Sequence, residues 1–322
     1  MDNISRRKFI QYSGMAAAST PFVASQPFYT FSGETKVKHP ICIFSKHLQW
    51  LNYEDAGKFA RDMGFDGVDL TVRKGGHVPP ESVEKLLPEA VEKITKAGIT
   101  VPMMATDIKD VEDPLTERVL KVAGKNGIKM YRMSYQNYDP SLEIVEYLNS
   151  LAPKLRKIGE LSQQHGLKAM YQNHDGERVG AAVWDIAYAI KKANHPALGM
   201  QYDPRHATVE GGFSWIYDMK LVKKMITSIV AKDFYWEKGE DGKWDVKNVP
   251  LGEGMVDFKK FFSLYKEYNI EGPITVHVEY PMFSGDEKSM SMKQKIKEAT
   301  EVLTFEINAL KKFMTEAGIR TW

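Results

Sequence analysis

The sequence carries little net charge, a single cysteine and no glycine-rich phosphate loop. Its 44 basic and 42 acidic side chains leave a net charge of +2, and this surplus lies within residues 1–25, because the remaining chain holds 41 of each sign. A neutral body has no general field for nucleic acid or for an anionic membrane. The lone Cys42 excludes an internal disulfide and, within its apolar run, indicates a buried structural thiol.

The residues that are present are typical of an ordinary globular protein. Apolar residues make up 43% and charged residues 27% of the 322 positions, which excludes a disordered or collagen-like chain. A chain of this length buries about three quarters of its unfolded surface, so it needs no disulfide or metal in order to fold.

Residues 1–25 are arranged like a twin-arginine export signal. Arg6 and Arg7 stand together, a mildly apolar stretch follows as far as Val23, and small residues come next. The stretch is too short and too polar to remain in a membrane as a helix. We therefore expect a cleaved signal, a linker over residues 26–38, and a periplasmic or otherwise exported protein. Phosphorylated sugars are scarce outside the cytoplasm, which favours a neutral substrate.

Short apolar runs alternate with amphipathic stretches along the rest of the chain. The runs, often β-branched and bounded by glycine or polar residues, predict eight strands: Ile41–Phe44, Gly67–Thr71, Thr100–Ala105, Met130–Met133, Leu167–Tyr171, Leu198–Tyr202, Ser228–Ala231 and Ile274–Glu279. The stretches between them predict eight helices: Tyr53–Met63, Glu81–Ala97, Pro114–Asn126, Leu142–His165, Trp184–Ala193, Ser214–Met225, Asp257–Tyr268 and Met290–Ala317.

This alternation, without any linker-like tract, predicts a single closed (β/α)8 TIM barrel over residues 39–322. The alternative is an open doubly wound sheet, which should carry a glycine-rich phosphate loop after its first strand. Residues 45–48, Ser-Lys-His-Leu, contain no glycine.

Nearly every predicted strand is followed by side chains that ionise or donate hydrogen bonds. In a TIM barrel the carboxyl ends of the strands form the working face. Because residues two apart on a strand share a face, His277 and Glu279 point the same way if the last strand persists to residue 279. Burying that Glu is costly unless it is paired, hydrogen-bonded or bound to a cation. The set after the strands comprises Lys46, His47, Arg73, His77, Thr106, Asp107, Arg132, Gln172, Asn173, His174, Asp203, Arg205, His206, Lys232, Asp233, His277 and Glu279.

Several motifs in this set resemble the sugar phosphate isomerase/epimerase superfamily, whose fold is the xylose isomerase-like TIM barrel. The similarity covers about residues 39–317, and its motifs are Tyr171-Gln172-Asn173-His174-Asp175-Gly176, Tyr202-Asp203-Pro204-Arg205-His206-Ala207, Ala231-Lys232-Asp233, Val249-Pro250-Leu251-Gly252-Glu253-Gly254 and Glu279. The superfamily typically holds a divalent metal with a Glu, an Asp, a His and a Glu from the fifth to eighth strands. The two Glu residues also act as acid and base.

The chain departs from this pattern at two of the four positions. Asp203 and Glu279 match the Asp and the last Glu, but Gln172 stands at the first Glu and Val230 at the His. An amide oxygen can bind a hard cation, but it cannot exchange a proton at neutral pH. The resemblance therefore implies Asp203, Glu279 and Gln172 as ligands for Mn, Mg, Co or Zn, and the departures leave metal binding open.

Proton abstraction next to a sugar carbonyl is the activity that the resemblance implies. It requires a base tuned near neutrality and a cation or donors at the enolate oxygen. The predicted catalytic residues are Glu279, His206, His174 and Lys232. The predicted substrate-binding residues are Arg73, His77, Gln172, Asn173, Arg205, His277 and Trp236.

Several functions compete on this barrel. The first is a metal-assisted isomerase or epimerase of a non-phosphorylated carbohydrate. A 3-keto-glycoside lyase or hydratase needs one strong base only, and a non-catalytic carbohydrate-binding barrel is favoured by Gln172 and Val230. An apurinic-site endonuclease would need more metal ligands and a basic groove, which the neutral body lacks. A homo-oligomer stays open, since Leu142–His165 and Met290–Ala317 are long enough to contact a neighbour as well.

Overall fold

A computed structural model describes residues 39–319 of the chain. Its strands are β1 (Ile41–Phe44), β2 (Gly67–Val72), β3 (Thr100–Thr106), β4 (Met130–Arg132), β5 (Lys168–Gln172), β6 (Leu198–Tyr202), β7 (Ile226–Ala231), β8 (Asp233–Lys238), β9 (Trp244–Val249) and β10 (Ile274–Val276). Its α-helices are α1 (Tyr53–Asp62), α2 (Val83–Lys96), α3 (Pro114–Lys125), α4 (Ile144–Gln164), α5 (Val183–Ala193), α6 (Pro204–Gly211), α7 (Trp215–Val222), α8 (Phe258–Glu267) and α9 (Met292–Glu316).

Eight of the strands form a closed barrel in the order β1-β10-β7-β6-β5-β4-β3-β2. All of its neighbouring strands are parallel; β1, for example, pairs with β10 through Ile41 and Ile274 and with β2 through Cys42 and Gly67. The predicted single TIM barrel is therefore confirmed. The export signal and the linker predicted for residues 1–38 lie outside the described residues.

The helices cover the barrel with one apolar face each. In α2 the buried residues are Val83, Leu87, Ala90 and Ile94, a spacing that puts them on a single helix face. Removing apolar surface from water stabilises this packing by about 25 cal/mol per Å². The polar face of the helix remains in water. Among residues 39–319, no helix combines the length and the apolar character needed to cross a bilayer.

Three features differ from the predicted pattern, and all of them shape the mouth of the barrel. Residues 233–249, which no predicted strand includes, form an antiparallel hairpin of β8 and β9. Residues 204–211, which no predicted helix includes, form α6, with Pro204 at the start of the helix and the Asp203 side chain as its cap. The last barrel strand ends at Val276, so Glu279 lies in the following loop and not on the strand.

Candidate active site

The carboxyl ends of four strands meet around the ring of Phe44, which closes β1. The ring of His277, after β10, stacks on Phe44 with the ring centroids 4.2 Å apart. The guanidinium groups of Arg73, after β2, and Arg132, at the end of β4, lie 5.4 and 5.3 Å from the same ring centroid. These contacts place side chains from distant parts of the sequence at the end of the barrel where TIM-barrel enzymes carry their sites.

Asp203, at the junction of β6 and α6, is the buried centre of this mouth. Its Oδ2 lies 3.2 Å from Lys232 Nζ and accepts a hydrogen bond of 2.8 Å from Gln172 Nε2. Its Oδ1 caps α6 by accepting the backbone N–H of His206 at 3.1 Å. Burial alone would raise the pKa of this carboxyl, but its interactions with His206 and Lys232 outweigh burial and lower the pKa to about 2. Asp203 is therefore an anion whose charge is balanced inside the protein.

The two amides after β5 are fully engaged. Gln172 Oε1 accepts hydrogen bonds from Arg132 Nη1 at 2.9 Å and from the Tyr135 hydroxyl at 2.8 Å. Since a guanidinium offers only donors and the Asp203 carboxylate only acceptors, these partners fix the orientation of the Gln172 amide. Asn173 exchanges two hydrogen bonds of 2.8 Å with the backbone N–H and C=O of Asp203. Gln172 and Asn173 therefore hold Asp203 in place.

The ring of His206 lies between Lys232 and Asp175. Its Nε2 is 2.6 Å from Lys232 Nζ and accepts from it, because an ammonium group can only donate. Its Nδ1 lies 3.0 Å from Asp175 Oδ1 and 2.8 Å from Arg205 Nη1. Burial lowers the pKa of His206 to about 3. His206 is accordingly a neutral imidazole that links the ammonium to a carboxylate.

His174 packs against His206 with the ring centroids 3.9 Å apart and the ring planes tilted by 30°, and it contacts the same carboxylate. Its Nδ1 lies 3.0 Å from Asp175 Oδ1, so that Nε2 is the ring nitrogen left for a substrate. Arg205 Nη1 forms an ion pair with the other oxygen of Asp175. Asp175 thus orients two histidines and an arginine at once, in the way that a carboxylate orients a catalytic imidazole.

Glu279 stands at the same mouth with two basic neighbours. Its Oε1 lies 3.6 Å from His277 Nδ1 and its Oε2 lies 3.5 Å from Lys46 Nζ. The contact with His277 holds the pKa of Glu279 well below its usual range, and Lys232 and Lys46 add to this effect. Lys232 therefore lowers the pKa of both Asp203 and Glu279, and it is Asp203 that it contacts directly. His277 itself is buried, which lowers its pKa to about 3.

The hairpin of β8 and β9 ties the two sides of the mouth together. Asn248 on β9 accepts a hydrogen bond of 2.7 Å from Arg205 Nη2 and donates one of 3.4 Å to the Glu279 carbonyl. Phe234 on β8 lies beneath the Arg205 guanidinium, 5.3 Å from its ring centroid. Trp236 packs edge-on against Phe234 and is 39% exposed. The tryptophan is therefore on the element that closes the mouth, with surface free for a ligand.

The predicted site residues fall into two groups in the structure. Contacts join the larger group at the mouth, which contains Arg73, Gln172, Asn173, His174, Asp203, Arg205, His206, Lys232, His277 and Glu279. His77 belongs instead to the wall near α1, where its Nε2 lies 3.4 Å from the Leu51 carbonyl and its ring packs edge-on against Tyr53. The binding role assigned to His77 remains a prediction without a contact to the larger group.

Sequence reasoning missed three partners of the site. Asp175 follows His174 directly in the quoted motif, and that adjacency was the available signal. Tyr135 and Asn248 come from irregular or hairpin positions where no periodicity marks the direction of a side chain. The Asp-Gly pair at residues 241–242, between Trp236 and Trp244, is a hairpin signal that would have indicated the element carrying Asn248.

The residues at the four superfamily metal positions do not fit a divalent cation. Val230 is a buried apolar side chain with no ligand atom, and the Gln172 oxygen is occupied by two donors. Asp203 faces an ammonium group at 3.2 Å. A different group has metal-type donors: one ligand atom each from His174, Asp175 and His206 lies within 4.8 Å of the others. Arg205 Nη1, 2.8 Å from His206 Nδ1, adds a competing positive charge there.

Comparison with known proteins agrees with the barrel. A profile described as xylose isomerase-like TIM barrel matches residues 58–304. Inosose dehydratase of Clostridium perfringens is 25% identical over 173 residues, which cover 49% of this chain. The match spans 56% of that relative, so little more than half of its length is represented.

Two solved structures illustrate the range of similar proteins. The IOLI protein with a bound zinc atom has a TM-score of 0.66 at 14% identity, covering 85% of this chain and 99% of that one. D-allulose 3-epimerase from Methylomonas sp. in complex with D-allulose has a TM-score of 0.61 at 13% identity, covering 85% and 97%. At these identities the similarity is one of fold.

Proposed function

Because the chain belongs to the xylose isomerase-like TIM barrel family, we propose that it removes a proton from the carbon next to the carbonyl of a non-phosphorylated carbohydrate, as an isomerase or epimerase does. The observation that carries this proposal is a buried ammonium, that of Lys232, in the same mouth as two proton-accepting side chains that solvent reaches. The side chains of His174 and Glu279 are each 28% exposed, whereas that of Lys232 is 4% exposed. A ligand in the mouth therefore meets both acceptors and a pre-oriented cation.

Each group then has a defined part in the reaction. His174 Nε2 or the Glu279 carboxylate takes the proton from carbon, and the electron pair of the C–H bond moves to the carbonyl oxygen. Lys232 keeps its own protons and stabilises the negative charge on that oxygen, which is where preorganised donors contribute most. Return of the proton to the former carbonyl carbon, with transfer of the hydroxyl proton from the first carbon's oxygen to the former carbonyl oxygen, gives isomerisation. Delivery of a proton to the opposite face of the first carbon gives epimerisation.

A second candidate reaction is β-elimination, as in a lyase or dehydratase. Gln172 favours it, because an amide cannot supply the second proton-exchanging carboxylate of a two-base epimerase. The similarity to a protein named inosose dehydratase also supports it. In this reaction Glu279 takes the proton from carbon, and the group on the next carbon leaves with its electron pair and receives a proton from a protonated His174.

The substrate class and the location belong to the same proposal. The D-allulose complex of a structurally similar epimerase supports a sugar ligand. The arginine pair at residues 6–7 supports export, where neutral sugars and oxidised glycosides are the available substrates. A divalent metal at His174, Asp175 and His206 is a further part of the proposal, supported by the proximity of their ligand atoms.

Solvent deuterium exchange tests this function directly. The purified chain is mixed in deuterated water with a panel of neutral ketoses, aldoses and 3-keto-glycosides, and exchange at carbon is followed by NMR. We expect deuterium at the carbon next to the carbonyl of at least one compound, with an isomer, an epimer or an unsaturated product identifying the reaction. Saturable binding of a sugar without any exchange would instead favour the non-catalytic barrel.

A further inference from the structure

We propose that the ammonium group of Lys232 takes the place of the divalent cation at the strand ends, so that Asp203 is the partner of an internal cation and not a metal ligand. This inference rests on the proposed function for its chemical meaning, but its geometry is independent of any substrate. It changes the role that the sequence pattern assigned to Asp203, and it gives Lys232 the electrophilic role in the site.

The first support is the way in which the Asp203 carboxylate is filled. Oδ2 receives Lys232 at 3.2 Å and the Gln172 amide at 2.8 Å, and Oδ1 receives the backbone N–H of His206 at 3.1 Å. The side chain is fully buried, and Asn173 fixes its backbone on both sides. A metal ion at Asp203 would have to displace a buried ammonium group, which would then lack its counter-charge, a costly arrangement.

The second support is the balance of charge. Four ligands of the Glu, Asp, His and Glu type bring three negative charges to a cation of charge two. With Gln172 in place of one Glu, one negative charge is absent, and Asp203 and Glu279 are the two carboxylates left at these positions. The remaining carboxylates have their own cations, since Asp203 pairs with Lys232 and Glu279 with Lys46.

The third support is the hydrogen-bond capacity of Lys232. An ammonium group has three N–H donors, and the structure directs two of them to Asp203 Oδ2 and His206 Nε2. The third donor remains for the oxygen of a bound carbonyl. Because the two protein acceptors fix the nitrogen, the third N–H is oriented before the substrate arrives, which is the condition for strong stabilisation of an oxyanion.

Titration with Mn²⁺ alone tests the inference without any substrate. The full chain, freed of metal by a chelator, is titrated and followed by electron paramagnetic resonance, together with Asp203→Asn and His174→Ala. We expect either no binding or binding that Asp203→Asn leaves unchanged and His174→Ala removes. Binding that is abolished by Asp203→Asn would overturn the inference. Circular dichroism checks that each variant is folded.

A double variant keeps the test decisive if Asp203→Asn fails to fold. Lys232→Met combined with Gln172→Glu removes the internal cation and restores the missing carboxylate. We expect this variant to bind Mn²⁺ at least about tenfold more tightly than the original chain, since Asp203 then lacks its counter-charge and a second carboxylate lies beside it. Equal affinity for Mn²⁺ in the two proteins would contradict the proposal, because it would mean that the Lys232 ammonium does not keep a divalent metal away from Asp203.

Chemical rescue tests the catalytic part of the inference. Lys232→Ala should lower the rate of deuterium exchange by about 100-fold or more, and ethylammonium should restore part of it where Mn²⁺ does not. Lys168→Ala is the matched control, because Lys168 is a half-buried lysine at the start of β5, and its exchange rate should not respond to ethylammonium. Rescue by Mn²⁺ and not by the amine would refute the role. If no compound exchanges in any variant, the proposed function fails while the Mn²⁺ titration still decides the inference.

Discussion

Replacing Asp175 by Asn should destabilise the barrel and slow the reaction, because one carboxylate orients three donors. Asp175 receives an ion pair from Arg205 and contacts of 3.0 Å from the Nδ1 atoms of His174 and His206. An Asn side chain offers one carbonyl oxygen to these donors and turns an N–H₂ group towards the rest. His206 cannot adapt by moving its ring hydrogen, because its Nε2 already accepts from Lys232.

The size of the effect follows from the burial of the partners. Removing one member of a buried ion pair costs about 3–5 kcal/mol, and Asn retains one hydrogen bond worth about 1 kcal/mol. The side chain of Asp175 is 21% exposed and that of Arg205 is 6% exposed, so water can hydrogen-bond to part of what the substitution leaves unpaired. This solvation lowers the cost a little further. We therefore expect the free energy of unfolding to fall by about 2–3 kcal/mol, and Tm to fall by about 4–8 °C.

The pH dependence gives this prediction a signature of its own. The interactions with His174, His206 and Arg205 outweigh the effect of burial and hold the pKa of Asp175 well below its usual range. The carboxylate therefore stabilises the fold at every pH above the value of about 3.9 that it has in the unfolded chain. The stabilisation is lost as the pH falls below that value towards the depressed pKa of the folded state. The difference in Tm between the two proteins should be constant from pH 5 to 8 and should shrink below about pH 4.

Thermal unfolding followed by circular dichroism measures the difference, with Glu84→Gln as a matched control. Glu84 pairs with Arg118 at 2.7 Å on the exposed surface, where an ion pair contributes little. We expect Glu84→Gln to leave Tm and deuterium exchange nearly unchanged, whereas Asp175→Asn lowers the exchange rate by about 100-fold. Equal shifts of Tm in the two variants, or full exchange in Asp175→Asn, would refute the reasoning.

Three further measurements test other parts of the account. Glu279→Gln should abolish deuterium exchange while the circular dichroism spectrum still shows a folded barrel, and exchange at the original rate would exclude Glu279 as base and as essential ligand. Burial raises the pKa of Glu306 to about 7, so the fold loses stability as the pH rises from about 4.3 towards 7. Glu306→Gln should therefore raise the free energy of unfolding at pH 8 by up to about 3 kcal/mol, and with it Tm, but should leave both unchanged at pH 4. A difference that does not depend on pH would contradict this. Replacing both Arg6 and Arg7 by Lys should block export, which fractionation of cells would show, and normal periplasmic yield would argue against a twin-arginine signal.

The barrel could be predicted because its evidence is local in the sequence. A strand such as Ile41–Phe44 is apolar throughout since both of its faces are covered, and a helix such as α2 repeats its apolar residues with helical spacing. The helix α6 was missed because residues 204–211 have no strong apolar pattern. An Asp directly before a Pro is nevertheless a helix start, with Asp203 as the cap and Pro204 in the first turn.

The members of the candidate site could be predicted in part, but their pairing could not. Lys232, Asp203 and Glu279 follow different strands, and the sequence shows only that all three reach the mouth. Whether the Lys232 ammonium neutralises Asp203 or Glu279 depends on ångström-scale differences between strand ends. The partners supplied by loops, such as Asp175, depend on backbone turns that carry no periodic signal.

Because pairing cannot be predicted from the sequence, the role of Gln172 at the superfamily's metal position differs between the sequence-based prediction and the structure. In the sequence, Gln172 counts as a weakened ligand, because a metal site is judged from the types of residue that are present. In the structure, the same amide donates to Asp203 and accepts from Arg132, which makes it a bridge between an anion and a cation. A Glu at this position would place a second carboxylate against Asp203, and the repulsion would require a cation of higher charge than Lys232 provides. Gln172 and the internal ammonium are therefore parts of one arrangement, and each is the physical reason that the other is tolerated.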